Sequence, residues 1–473
     1  MPVSPTVYRL SVGLLLALVT ACSSIYKTEN QAITQIDETS GYRRFDHDHI
    51  TDAGDTTILL AFSGGGTRAA ALSYGVMQEL RDTLVETDGK TTRLLDEVDT
   101  ISSFSGGSFT AAYYGIFGDQ LFESYEHDFL RRNVQKTLIK GMLNPVNWLK
   151  SAFSGFDRKE MAIKYYDETI FKGATFADMR IEDGPFIEIN ATDLATGLRF
   201  TFNQERFDLI CTDLNSYSVA RAVTASSAVP VAFPTVVLEN HADQCDISES
   251  RAWHVLQNTA TESAALASVQ EGLRSYRDFE RRKYIHLVDG GIADNLGLRA
   301  ILDRLETLGE VRFLLNAENP MKNIVFILVN ARVKPESSIG QSAKNPSASV
   351  TMGAFTSAQI DRYSQETVDK FRHDLREINE RFKAHGIPTT AYFAEVSFAQ
   401  VANDNLNKML NSLPTTLELD DDEIDQLIIA GRILLRREPS YMRFLQQNKG
   451  QLVEGAITSM EICSYFYLDE CAR

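Results

Sequence analysis

The chain is short of positive charge. In 473 residues, 47 Lys and Arg stand against 64 Asp and Glu, for a formal net charge of −17. A nucleic-acid binder displaces counterions with a basic face. No run of Lys and Arg supplies one even locally, so nucleic acid is excluded as a partner. Long apolar runs are also missing. After the first 25 residues no stretch of 18 or more apolar residues occurs, and nothing there reads as membrane-spanning. Cysteine is scarce, with five in all and no C-x-x-C, so neither a zinc ribbon nor a thioredoxin-type redox centre is supported. The phosphate loop G-x-x-x-x-G-K-[ST] is absent. Repeats and low-complexity tracts are absent too. What is present is ordinary globular composition, 44% apolar and 23% charged.

The first 21 residues read as a targeting segment. Arg9 is followed by a short apolar run, Leu10 to Val19, ending in Val19-Thr20-Ala21-Cys22. Small residues directly before Cys resemble the bacterial lipoprotein signal, in which Cys22 is lipidated and becomes the new first residue. Ser23-Ser24 lacks the Asp that retains such proteins in the inner membrane. The expected location is therefore the outer membrane, facing the periplasm, with acyl chains on Cys22 as the membrane anchor. The other four cysteines are even in number, as expected for disulfides in an exported protein. The preferred pairing is Cys211 with Cys245 and Cys463 with Cys471.

Residues 25–55 are polar and read as a tether and approach segment. Thr56 to Phe62 is a short apolar strand, followed by a glycine loop and a helical pattern from Arg68 to Leu80. Val98 to Ser102 is a second strand, with a helix from Phe109 to Phe117. Further strands are expected at Pro185–Ala191, Lys283–Val288, Asn323–Asn330 and Thr389–Phe398. Long helices are expected at Thr351–Ala384 and over 420–447. Alternation of strands and helices predicts a three-layer α/β/α fold with a mainly parallel central sheet and a helical C-terminal extension. The domains are then a signal at 1–21, a tether at 22–55, a catalytic domain at 56–335 and an α/β extension at 336–473 packed on it.

Three motifs carry chemistry. Ser103-Phe104-Ser105-Gly106-Gly107 follows a strand and opens a helix. A nucleophile elbow needs small residues two before and two after its Ser, and Ser103 and Gly107 meet that demand. Ser63-Gly64-Gly65-Gly66-Thr67-Arg68 joins strand to helix, where converging N–H groups and the helix N-terminus suit an anion, either a phosphate or an oxyanion. Val288-Asp289-Gly290-Gly291 closes another strand, placing a carboxylate where parallel sheets face ligands.

In this order the motifs resemble the patatin-like phospholipase family: GGGTR at 64–68, SFSGG at 103–107 and DGG at 289–291. Asn190 to Gly197 resembles the family's N-A-T-D-x-x-T-G segment, and Ala225 to Pro230 its A-S-x-A-x-P segment. The likeness spans about residues 56–300. Ser103 stands where the family elbow carries Gly, Ser63 where Asp or Gly often precedes the loop, and Ala69 where Gly is frequent.

The resemblance implies a lipid acyl hydrolase with a Ser105–Asp289 dyad and no histidine. Backbone amides of Gly64, Gly65 and Gly66 would hold the oxyanion. Arg68 would either brace the glycine loop or meet a substrate phosphate. No metal or cofactor is implied, and the substrate would be a membrane phospholipid or another lipid ester. His286 is the nearest rival base. It lies three residues before Asp289 and so faces the other side of the strand. Leu138 to Phe156 mixes Leu, Met, Trp and Phe with lysines, and reads either as an interfacial element or as a lid packed on the core. The alternative functions are a non-catalytic lipid- or protein-binding envelope lipoprotein and an esterase for soluble esters.

Overall fold

The computed structural model describes residues 28–44, 55–87, 89–142, 158–179, 184–228, 234–258, 264–307, 321–334, 338–341, 343–453 and 457–466. Cys22, Cys471 and most of Leu138–Phe156 lie outside them.

The elements that position the site are, in chain order, β1 (Thr56–Phe62), α1 (Thr67–Arg81), β2 (Val98–Phe104), α2 (Gly106–Phe117), β3 (Phe186–Asp193), α3 (Val219–Ser226), β4 (Val236–Glu239), β5 (Tyr284–Val288), β6 (Asn323–Asn330), α4 (Ala348–Ala384), β7 (Thr390–Ser397) and α5 (Asp421–Arg437). The strands build one sheet in the order β7-β6-β1-β2-β3-β5-β4, with Arg199–Thr201 also pairing with β3. The pairs from β7 to β3 are parallel, with Asn323 opposite Thr390 and Thr56, and Phe104 opposite Asn190. The carboxyl ends of β7, β6, β1, β2 and β3 thus share one edge. Strand β5 departs from the expected direction, since it runs antiparallel to β3, with Val288 opposite Thr192, and antiparallel to β4.

The apolar runs in β1 and β6 are continuous because both faces of the sheet are covered. Ile58, Leu60 and Phe62 enter one core with Val325, Ile327 and Val329, beneath α1 and α2. Leu59, Ala61, Phe326 and Leu328 enter a second core with Phe371 and Leu375 of α4.

Two stretches depart from the sequence expectation. The polar approach segment is docked rather than loose over 28–44. Gln31–Ala32 pairs with Thr212–Asp213. The fully buried Tyr42 hydroxyl accepts from the Ile187 N–H at 2.6 Å and donates to Ile187 O at 3.2 Å. The expected helix over 420–447 is two, broken where Pro439 opens Pro439–Gln447, because proline cannot continue an α5 hydrogen-bond ladder.

Candidate active site

Ser105 directly follows β2, and Gly106 opens α2. The turn between them holds Ser105 at φ 45°, ψ −120°, a strained conformation for a residue with a Cβ. Two close approaches explain the glycines that follow. A Cβ on Gly106 would lie 2.0 Å from the Gly66 carbonyl oxygen, and one on Gly107 would lie 2.6 Å from Phe62 Cβ. The elbow is thus pressed against the glycine loop and the end of β1. Ser103 occupies the family's glycine position without conflict, since its buried hydroxyl turns into the β2–β3 seam and donates to Glu188 O at 3.1 Å.

Ser226, at the end of α3, fixes the elbow from behind. Its hydroxyl accepts from the Ser105 N–H at 2.9 Å and donates its proton to Asn190 O at 2.6 Å. The Ser108 hydroxyl, 2.9 Å away, is then the donor of that pair. Asn190 ties the floor together, donating to Ser102 Oγ, Ser103 O and Glu188 O and accepting from Thr201 Oγ1. Both residues fall in stretches visible in the sequence, but spacing alone carries no sign of these bracing roles.

Asp289 arrives on the antiparallel strand. Its N–H donates to Ala228 O at 2.9 Å, and the Gly290 N–H donates to Ser226 O at 3.1 Å. The residue holding Ser105 therefore also sets the height of Asp289. The Asp289 carboxylate lies close enough to the Ser105 hydroxyl for that hydroxyl to favour its ionised form, and the Gly291 N–H donates to Asp289 Oδ1 at 2.8 Å. Burial pushes the Asp289 pKa above the ordinary 3.8, against the lowering effect of these two donors. His286 is exposed, and its Nδ1 pairs with Thr235 Oγ1 at 3.1 Å. Among the described residues, no histidine bonds Ser105 or Asp289.

The glycine loop lies against the elbow. A Cβ on Gly64 would meet Ser105 Cβ at 3.2 Å and Asn295 Oδ1 at 2.7 Å. The three expected oxyanion donors are not equivalent. The Gly64 N–H already donates to Asn295 O at 3.1 Å, so the loop offers two free donors rather than three. Among the described residues, the Gly65 and Gly66 N–H groups have no protein partner, and they sit at the N-terminus of α1.

Arg68 is buried, and its guanidinium is engaged by protein oxygens. Its Nε donates to Ala331 O at 2.9 Å, Nη1 to Leu413 O at 2.6 Å and Nη2 to Thr415 Oγ1 at 3.0 Å. Burial pulls its pKa down to about 10. The guanidinium thus ties the start of α1 to the residues after β6 and to the C-terminal stretch.

Among the described residues no cluster of His, Cys, Asp and Glu could hold a metal ion. Cys211 and Cys245 form a disulfide. Cys463 is also disulfide-bonded, and its expected partner Cys471 lies outside the described residues.

Residues 60–302 match the sequence model for patatin-like phospholipase. The chain belongs to the patatin-like phospholipase family. No curated protein matches it. Among solved structures it is similar to the crystal structure of VipD from Legionella pneumophila, at 11% identity and a TM-score of 0.31, over 92% of this chain and 73% of that one. Membership of this family means lipid acyl hydrolysis in general.

Proposed function

We propose that this patatin-like phospholipase cleaves carboxylic esters of membrane phospholipids through Ser105 and Asp289. The observation that carries the reading is the strained Ser105 set beside a partly buried carboxylate whose ionised form its hydroxyl favours, with no histidine bonded to either among the described residues. Asp289 takes the Ser105 proton as Oγ attacks the ester carbonyl, and the Gly65 and Gly66 N–H groups receive the developing oxyanion. One such donor is worth about 3–4 kcal/mol in comparable sites. Asp289 then returns the proton to the leaving alcohol. Water, activated by the same carboxylate, releases the fatty acid from the acyl-enzyme.

A fluorophosphonate probe should label Ser105. Ser105→Ala and Asp289→Asn should each lower ester hydrolysis by about three or more orders of magnitude, with the double variant little worse, because the pair acts as a unit. His286→Ala should be mild. Near-normal turnover in a folded Asp289→Asn protein would overturn the dyad.

We further infer that the enzyme is lipid-anchored at Cys22 on the periplasmic face of the outer membrane. The Cys211–Cys245 disulfide supports export, since such bonds persist in oxidising compartments. Cys22→Ser should move the protein out of the membrane fraction or leave it unprocessed. Unchanged fractionation and mass would refute the anchor.

A further inference from the structure

Helix α4 is too long for the sheet it covers. Its 37 residues span about 55 Å at 1.5 Å per residue. The eight-residue strands β6 and β7 span only about 26 Å. The helix connects the carboxyl end of β6 to the amino end of β7, so it runs back along the sheet. Its C-terminal part is the packed part, with Val368, Phe371, Leu375 and Phe382 buried. The excess therefore lies at its N-terminus, on the edge that carries Ser105 and Asp289.

The level of that edge is marked by Asp361. Arg332, two residues past β6, donates from Nη1 to Asp361 O at 2.8 Å, and its Nε lies 3.6 Å from Asp361 Oδ1. Two residues further on, the Tyr363 ring lies 4.4 Å from the Arg299 guanidinium. Arg299 in turn donates its N–H to Asp294, just past the Asp289 turn. Residues 348–360 rise above this collar for about 20 Å.

Their chemistry is unusual for this chain. No charged residue falls between Lys344 and Asp361, although 23% of the chain is charged. Every described side chain from Val350 to Gln359 is exposed, with Phe355 at 62% and Val350 at 48%. A helix bathed in water gains from charged faces and i,i+4 pairs. This one instead carries Gly353, with nothing within 4 Å of its Cβ position, and the β-branched Val350, Thr351 and Thr356, all weak helix formers. Beside it, a cleft of 900 Å³ at the ends of β6 and β7 is lined by Asn330, Arg332, Lys334, Ser397 and Lys408, together with Glu395, whose carboxylate is taken up by Asn330 and Arg372. Lys334 and Lys408 are exposed and have no acidic partner among the described residues. An uncharged helical tip above a rim that carries two exposed lysines, unpaired among the described residues, is the pattern of an element that enters a bilayer while its rim meets headgroup phosphates. No described helix is long and apolar enough to cross a membrane, and about 20 Å is less than a hydrocarbon core of about 30 Å.

We propose that residues 348–360 are a finger that inserts into one leaflet of a phospholipid bilayer and seats the Ser105–Asp289 edge on its substrate. The proposal rests on the acyl-hydrolase reading above.

The test uses the full chain with vesicles of phosphatidylglycerol and phosphatidylethanolamine, and with a monomeric short-chain ester in parallel. Phe355→Glu and Val350→Glu should lower vesicle hydrolysis tenfold or more and leave monomer hydrolysis unchanged. Phe355→Trp should gain tryptophan fluorescence that brominated acyl chains quench beyond the parent protein's signal. Lys334→Ala with Lys408→Ala should weaken vesicle binding most at low salt. Parent-like vesicle hydrolysis by both glutamate variants would overturn the finger. So would a changed oligomeric state with an unchanged vesicle rate, since a second copy would then cover the helix. If the parent cleaves neither substrate, the acyl-hydrolase reading fails, and the quenching of Phe355→Trp still decides insertion.

Discussion

Asp289 is a carboxylate held where its charge is unwelcome. Burial raises its pKa above 3.8 even though Ser105 and the Gly291 N–H both favour the ionised form. Between 3.8 and the folded-state pKa, the native chain keeps a proton that the unfolded chain has lost. Stability must therefore fall as pH rises through that window, and the deficit persists above it. The same ionised state is the one that serves as base, so activity should climb with pH through an apparent pKa above 3.8. Asp289→Asn removes the charge and keeps the shape. Near neutral pH it should unfold at the same temperature as the parent or higher, with the gap closing in acid, where the parent side chain is also neutral. Thermal unfolding across pH checks this. A less stable Asp289→Asn protein at neutral pH would contradict the assignment of burial as the dominant influence.

The elbow works as an element because three strands and a helix end meet beneath it. Ser226 joins them, serving the Ser105 N–H, Asn190 O and Ser108 Oγ at once. Ser226→Ala leaves two buried donors, the Ser105 N–H and the Ser108 hydroxyl, and one buried acceptor, Asn190 O, without this partner, at about 1–3 kcal/mol for each left unmatched. It should lower the urea midpoint, and slow turnover more than it raises KM, since it misplaces Ser105 without touching substrate. A parent-like midpoint and rate would remove Ser226 from the positioning set. The parts of this element that rest on local pattern were legible in the sequence. The apolar runs of β1, β2 and β6 and the glycines after Ser105 mark strand, turn and helix directly. The direction of β5 was not legible. Its five residues take their direction and register from β3 and β4, and the turn after it is held by Ala228 O and Ser226 O, distant groups that no local periodicity reports. For the same reason the glycine run suggested three oxyanion donors. The acceptor that occupies the Gly64 N–H, Asn295 O, comes from more than 200 residues away. Strand β4, four residues long with an alternating burial pattern, is too short to stand out from a loop.

The whole molecule closes the site from its far end. The glycine loop is backed by the C-terminal stretch, where Thr416 O accepts from the Thr67 N–H at 2.9 Å and Leu413 O accepts from Arg68. Helix α5 lies across α1 at a close crossing. A Cβ on Gly75 would meet Ile428 O at 2.1 Å, and one on Gly431 would meet Leu72 O at 2.4 Å. So close an approach leaves little room for water between the two helices, and the charges there must satisfy each other. Glu79 of α1 is fully buried. It accepts from Arg436 Nε at 2.6 Å and Nη2 at 3.1 Å, and from Arg432 Nε at 3.4 Å. Arg432 also reaches Asp82 at 2.7 Å, so it keeps a partner if Glu79 is lost, whereas Arg436 does not keep its carboxylate. Removing one member of a buried pair strands the other, which typically costs about 3–5 kcal/mol. Glu79→Ala should therefore destabilise by that order in urea unfolding. Arg436→Met in the same background should recover much of the loss, because it removes the stranded charge along with its need for a partner. If Glu79→Ala shifts the midpoint by less than about 1 kcal/mol, the value of an exposed pair, the α1–α5 crossing is held by packing alone and the ion pair is incidental to it.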